Sequence, residues 1–480
     1  MSSSIRIQSG TSPFEDHVAT ILAAQDCFVA DEPLWVARAP GRLDVMGGNV
    51  DYTGGLVLQS LLREAIWVAV QPRSDNVIRV LNPGAARFGW DPCLELPCDE
   101  LDEVESLRLL FGQRESSRWG CFVLGALHFL TSCYGVDSAG GATLFIESDL
   151  PPNKGVSSSA ALVVATIKAV SAAWGLSIDG VALATAAQWV ENVVVGSACG
   201  IMDQAAIVLG RENLLLPILC QPCQPFSAVT LPVGLSLWGI DSMVSRSTTG
   251  AAYETARAAA FIGYKLICQR EKIDVIAEEV SGIPRFTDSR WGGYLSNLAP
   301  AEFRANYERW LPETLTGQEF IVRAGDHVDP FTTIDLKKEY PVRSAARYAV
   351  EENFRVQMLC ALLEATTQNW SELSLRLIGE ILCQSHVAYT ECGLGSDACD
   401  ELVARALEAG FLGAKMTGGG AGGVVAILGR SSDRRVIQAV AERYGDGRAG
   451  TPHIFEGSSN GVDAFGVRTM QLSFTQGIQC

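Results

Sequence analysis

One loop constrains this chain more than any other stretch. Pro151-Pro152-Asn153-Lys154-Gly155-Val156 enters Ser157-Ser158-Ser159-Ala160-Ala161, and an apolar helix is predicted from Ala160 to about Trp174. A glycine- and serine-containing loop that runs straight into a helix leaves backbone N–H groups unpaired at a positively polarised end, so it invites an anion. The serine hydroxyls have three possible uses there: capping the helix, touching phosphate oxygens, or ligating Mg²⁺. Capping alone is common and would leave the segment an ordinary helix start.

Elsewhere strands alternate with long helices, which argues for two-layer α+β architecture. Period-2 and apolar runs predict strands at Leu34–Ala39, Leu56–Leu61, Ala65–Pro72, Ala142–Ser148 and Leu235–Ile240. Helical spacing appears at Phe14 to about Ala24, Trp119–Tyr134, Val181–Gly196, Ile201–Leu209, Tyr253–Glu271, Met358–Thr366 and Leu373–Thr390. Leu214–Val233, with prolines at 217, 222, 225 and 232, reads as the crossing between two halves, 1–225 and 226–480. Residues 272–345 are mixed, polar and aromatic. Gly413–Thr417 and Val424–Leu428 read as short strands around a glycine turn.

Composition removes several function classes. With 480 residues and 48% hydrophobic content the chain can bury a core in each of two domains. A net charge of −17 with scattered Arg and Lys argues against a nucleic-acid partner, which needs a basic face. ATP is still allowed, because Mg²⁺ and local helix dipoles supply positive field. No secretory h-region is visible at the start, and Lys168 interrupts the best apolar run. A cytoplasmic protein without a membrane partner is expected. The 14 cysteines form no framework and read as reduced, mostly packed thiols. Cys220-Gln221-Pro222-Cys223 is a lone CxxC with no second ligand pair and no redox context.

Two further segments carry chemistry. Gly418-Gly419-Gly420-Ala421-Gly422-Gly423 satisfies GxGxxG by letter, but a strand follows it where a dinucleotide site needs a helix. A glycine hairpin whose backbone approaches a ligand fits better. Asp203 stands alone in an otherwise apolar run from Ala198 to Ile207, and such a carboxylate needs a partner or a task.

Arg38-Ala39-Pro40-Gly41-Arg42…Asp51-Tyr52-Thr53-Gly54-Gly55, the serine loop, Gly200-Ile201-Met202-Asp203-Gln204 and Met416-Thr417-Gly418-Gly419-Gly420-Ala421-Gly422-Gly423 together resemble, in chain order, the signature motifs of the GHMP small-molecule kinases. The galactokinase branch fits best. Within it, Gly41 to Gly48 (GRLDVMGG), Cys392 to Ser396 (CGLGS) and Phe455 to Ser459 (FEGSS) look most like the L-arabinose kinases. The resemblance runs from about Trp35 to about Gly466. It implies an N-terminal ribosomal-protein-S5-like α+β domain and a C-terminal ferredoxin-like α+β domain with a helical insert.

It also implies roles. Asp203 would be the catalytic Asp, drawing the proton from an anomeric hydroxyl that attacks the γ-phosphorus, with Arg42, in a turn after Pro40-Gly41, beside it. Gly155, Val156, Ser157, Ser158, Ser159 and Ala160 would hold ATP, with Trp119 near the adenine. Ser159 and Glu191 would ligate Mg²⁺. Asp51, Asn49, Gly48, Gly200, Tyr253, Gly419 and Gly420 would form the sugar site. Galactokinases usually read GEHTDY, where this chain has Gly47-Gly48-Asn49-Val50-Asp51-Tyr52. The Glu that meets the C6 hydroxymethyl is replaced by Gly48, which suits L-arabinopyranose, galactose without that group. D-Galactose remains the alternative. A non-catalytic sugar and ATP sensor is disfavoured by the intact serine loop and Asp203. The expected partners are ATP and a monosaccharide, in a monomer or weak homo-oligomer.

Overall fold

The computed structural model describes residues 5–6, 27–29, 31–101, 103–112, 114–135, 141–245, 251–280, 283–367, 369–448, 450–471 and 473–474. The helix expected over Phe14–Ala24 lies outside them. In the first half, β1 (Pro33–Met46), β2 (Leu56–Pro72), β3 (Val77–Leu81), β4 (Cys93–Pro97), β5 (Gly141–Ser148), β6 (Leu215–Leu219) and β7 (Gln224–Pro225) are joined by α1 (Gly120–Tyr134), α2 (Ser158–Ala173), α3 (Gly180–Trp189) and α4 (Met202–Leu209). The second half contributes β8 (Leu235–Asp241), α5 (Ala251–Glu271), α6 (Val342–Thr366), α7 (Glu372–Glu391), β9 (Gly413–Met416), β10 (Val424–Arg430), β11 (Ile454–Glu456) and β12 (Val467–Gln471).

Two sheets organise the molecule. The larger runs β12-β1-β2-β5-β3-β4, with β6 on the free stretch of β2 and β7 on β6; every pairing is antiparallel except β3 with β5. The smaller runs β9-β10-β8-β11 and is antiparallel throughout. One apolar core joins the halves. It takes Val68, Val70, Leu144 and Ile167 from the first and Trp238, Ile240, Val425 and Ile427 from the second. The last strand returns to the first sheet, since β12 pairs with β1 from Val467↔Ala37 to Gln471↔Pro33. A boundary that assigns everything after 226 to the second half therefore misses β12.

Several expected elements are corrected. The two strands expected at 56–61 and 65–72 are one 17-residue strand, because Leu62, Ala65 and Ile66 are buried and keep the ladder running. Leu214–Val233 is not a bare crossing, since β6 and β7 extend the first sheet. The helix expected from Met358 starts at Val342, its buried face continuing through Ala345, Ala346, Ala349 and Val350. The insert at 272–345 is only partly helical. It holds a hairpin, Ile276–Val280 with Ile283–Thr287, and helices Pro300–Asn306 and Gly317–Ala324. Its aromatic core packs on α5 and α6 through Phe261, Trp291, Phe303 and Tyr307.

Candidate active site

Arg42 lies in β1, not in a turn. Register shifts flank it, between Pro40 and Arg42 and between Asp44 and Met46. Such irregularities admit Pro40 to a strand and re-aim the following side chains. Gly41 is required by close approach: a Cβ there would stand 2.9 Å from the Val156 carbonyl oxygen. Val156 instead accepts from the Arg42 N–H at 3.1 Å, and Gly155 accepts from Arg42 Nη1 at 2.6 Å. The first motif is thus stitched to the serine loop. A Cβ on Gly423 would stand 2.6 Å from the Lys154 carbonyl oxygen, so the glycine loop meets the serine loop equally closely. Lys154 also pairs with Asp241 at the end of β8, at 3.1 Å.

The serine loop ends in Ser157, which takes a left-handed φ of 62° ahead of α2 and makes no capping hydrogen bond. The capping use of its hydroxyl is therefore absent. Its Oγ is buried without a partner among the described residues. A buried hydroxyl in that state costs free energy unless something supplies the bond. Ser157, Ser158 and Ser159 line a cavity of about 370 Å³ with Phe88, Trp90, Trp119 and Phe122. Trp119 is fixed by its Nε1, which donates to the Asp91 carbonyl at 3.0 Å. Val156 and Ala160 stay fully buried behind the loop and give it shape.

A second cavity, about 40 Å³, adjoins the first and is lined by Arg42, Asn49, Asp51, Ser159, Glu191, Gly200, Asp203, Tyr253 and Gly419 among others. Among the described residues, only Ser159 and Asp203 line both. Asp203 sits in the first turn of α4. Both Arg42 contacts fall on one of its oxygens, Nε at 2.9 Å and Nη2 at 2.6 Å to Oδ1. Oδ2 is left free of Arg42. The Asn49 amide donates to the Gly418 carbonyl at 3.4 Å, while its Oδ1 is buried with no partner among the described residues. Gly200 makes room for Asp51, since a Cβ would lie 2.0 Å from Asp51 Oδ2.

Two carboxylates here are shifted. Burial pushes Asp51 up to about 6, Asp203's charge adding to the effect and Arg257 opposing it. Burial and Asp203 push Glu191 up to about 7, against hydrogen bonds from Gln204 and Ser159. Glu191 stands in a π-helical turn, Val190–Val195, that interrupts the helix expected to run to Gly196. Such turns recur at functional sites. Gln204 Nε2 donates to Glu191 Oε1 at 2.7 Å. A buried carboxylate short of positive charge, beside a serine hydroxyl at a helix N-terminus, is a donor set that suits Mg²⁺ accompanied by phosphate oxygens and water.

Two expected sugar residues stand off the cavity. Gly420 packs on Leu394 and the Tyr389 ring, and Gly48 faces the Tyr389 hydroxyl. Sequence reading missed Phe88, Trp90 and Phe122, although Phe88-Gly89-Trp90 is an aromatic pair around a glycine. It also missed Arg257, one turn after Tyr253 on α5. Arg257 is buried against Asp329 of the insert (2.7 Å) and donates to the Ala198 carbonyl at 3.1 Å.

Residues 122–211 match the GHMP kinases N terminal domain, residues 363–446 the GHMP kinases C terminal model, and residues 25–72 the galactokinase galactose-binding signature. The chain is 37% identical to an L-arabinokinase of Arabidopsis thaliana over 92% of its own length, and it spans 47% of that protein. It is 28% identical to a galactokinase of Roseiflexus sp. (strain RS-1), covering 90% of this chain and 93% of that one. In fold it is similar to Lactococcus lactis galactokinase complexed with galactose, with a TM-score of 0.72 at 20% identity, covering 93% of this chain and 99% of that one. Methanococcus jannaschii mevalonate kinase is more distant, with a TM-score of 0.55 at 13% identity and coverage of 88% and 98%.

Proposed function

This chain belongs to the GHMP kinases, and on that premise we propose that it is an ATP-dependent sugar 1-kinase whose preferred substrate is L-arabinose. One observation carries the reading: the larger, aromatic-lined cavity and the smaller, carboxylate-lined one meet at Asp203 and Ser159. Adenine belongs among Phe88, Trp90 and Trp119, and the phosphates belong along Ser157–Ser159, where α2 begins. The sugar belongs over Asp51, Asn49 and Gly419. Its anomeric hydroxyl then faces Asp203.

The anomeric oxygen attacks the γ-phosphorus, a new P–O bond forms, and the bond from that phosphorus to the β,γ-bridging oxygen breaks. ADP leaves with the electron pair. Asp203 Oδ2, free of Arg42, draws off the hydroxyl proton as the bond forms. Arg42 holds Asp203 in place and lies beside the small cavity, where it offsets charge on the equatorial oxygens. Asp51 and Asn49 Oδ1 accept ring hydroxyls and fix the attacking oxygen in line. Ser159 and Glu191 would hold Mg²⁺, which when bound with the nucleotide neutralises phosphate charge.

The preference for L-arabinose rests on Gly48, where no side chain can meet a C6 hydroxyl. D-Galactose is the second reading, favoured by the galactose-binding signature over residues 25–72. A panel of single sugars with Mg·ATP tests the proposal. Sugar-dependent ADP release with phosphate on C1 is expected, and ADP release indifferent to sugar overturns it.

A further inference from the structure

We infer that Tyr389, which touches neither cavity, sets sugar specificity jointly with Gly48. The inference rests on the sugar-kinase reading and names a positioning residue within it.

A Cβ built on Gly48 would stand 1.9 Å from the Tyr389 hydroxyl, 2.6 Å from Asp44 Oδ2 and 2.6 Å from the Gly418 carbonyl oxygen. The space of a residue-48 side chain is therefore already filled, by a phenol arriving from α7. Tyr389 is fully buried, and its hydroxyl donates to the Gly418 carbonyl at 2.7 Å. Its ring meets Tyr348 of α6 edge to face, centroids 5.4 Å apart. Tyr348 in turn donates to the Gly48 carbonyl at 2.6 Å. Two tyrosines thus pin one main-chain carbonyl each, on the two loops that face each other behind Asn49 and Gly419.

The other half of the clamp is ionic. Asp44 and Lys415 are both fully buried and pair at 3.0 Å, and Asp44 Oδ2 also accepts from the Gly418 N–H at 3.3 Å. Lys415 Nζ stands 5.1 Å from the Tyr389 ring centroid. Gly418 is consequently held at both its N–H and its carbonyl. The next residue, Gly419, lines the small cavity. Directly before that lining residue the main chain is fixed, with the Gly418 carbonyl already engaged by Tyr389 and Asn49. A sugar ending at the ring fits against it. A sugar with an exocyclic hydroxymethyl needs both room and a hydrogen-bond acceptor, and the nearby Gly418 oxygen is taken, at close range by the Tyr389 hydroxyl and at longer range by the Asn49 amide.

The test measures kcat/KM for L-arabinose and for D-galactose, with KM for ATP as control, in the parent, Tyr389→Phe, Gly48→Ala and the double variant. Phe keeps the packed ring and leaves the Gly418 carbonyl only the long contact from the Asn49 amide, at 3.4 Å. Tyr389→Phe is expected to lower the arabinose-to-galactose ratio about three- to tenfold, the worth of one neutral hydrogen bond, with KM for ATP unchanged. Gly48→Ala forces a Cβ onto the hydroxyl and should lose about tenfold or more in sugar kcat/KM, part of which the double variant regains. An unchanged sugar ratio in Tyr389→Phe, or strictly additive effects in the double variant, overturns the inference alone. Should Tyr389→Phe not fold, Gly48→Ala decides: displacing the Tyr389 hydroxyl is expected to shift the sugar ratio as well as the rate, and a ratio equal to the parent's overturns the inference. A parent that phosphorylates neither sugar overturns the sugar-kinase reading with it.

Discussion

Asp203 is the residue on which the account turns, and sequence alone came close to it: a solitary carboxylate in an apolar run needs a partner. The partner, Arg42, was legible only as a motif residue, because a contact across 161 positions leaves no local periodicity. Asp203→Asn is expected to fold and to bind ATP while kcat falls about a thousandfold or more, since the charge beside the attacking oxygen is lost. Wild-type turnover by a folded variant contradicts the assignment. The neighbouring carboxylates give a pH signature. Asp51 is pushed up to about 6 and Glu191 to about 7, both first by loss of water and then by Asp203. Below those values each is protonated, so on the proposed assignment Asp51 would stop accepting from the sugar and Glu191 would stop ligating the metal. Because kcat/KM reports the free enzyme, it should fall steadily from about pH 8 to about pH 5, and a flat profile across that range is the contrary result. The sign for stability is opposite. A carboxyl raised in the folded state favours the protonated form, so Asp51's stabilising contribution is present at acid pH and lost as pH rises through about 6.

At the scale of elements, the motifs recognised in the sequence turn out to be contact surfaces between loops. Gly41 admits the Val156 carbonyl, Gly423 admits that of Lys154, and Gly48 admits the Tyr389 hydroxyl. The glycines were legible, but what approaches each of them was not, since the approaching group lies on a distant segment. The same holds for the π-helical turn that aims Glu191: Val190 to Val195 has the apolar spacing of an ordinary helix. The sequence pattern ends strand β1 at Ala39, since Pro40-Gly41 signals a turn, and tertiary pairing with β2 overrides that signal. Two substitutions probe these elements. Gly200→Ala drives a Cβ into Asp51 and should raise KM for sugar about tenfold or more, leaving KM for ATP near the parent's. Equal KM values for sugar would show that Asp51 is free to move. Ser159→Ala removes a hydroxyl shared by the two cavities and should raise the Mg²⁺ requirement. Metal dependence matching the parent's would limit Ser159 to shaping the loop.

Across the whole molecule, the alternation of strands and helices is legible as two-layer α+β architecture and the chain length as room for two domains, and the glycine hairpin is legible as strand-flanked: β9 and β10 pair from Gly413↔Leu428 to Met416↔Val425. The long-range closure was not legible. β12 returns to pair with β1, and a five-residue segment carries no sign of which sheet it will join. The aromatic core of the insert follows the same rule. Its residues were visible as a composition shift, and its packing on α5, which carries Tyr253 at the small cavity and Arg257 against the Ala198 carbonyl, needed the fold. Among the described residues no helix is long and apolar enough to cross a membrane. What the assembled molecule does is best tested by one competition. Purified protein is given Mg·ATP with L-arabinose and D-galactose at equal concentration, and the phosphorylated products are identified by position and amount. The account predicts that L-arabinose 1-phosphate exceeds galactose 1-phosphate by about tenfold or more, the worth of one hydrogen bond to a charged group. A clear excess of galactose 1-phosphate contradicts the assigned preference, and phosphate on neither sugar contradicts the assigned activity.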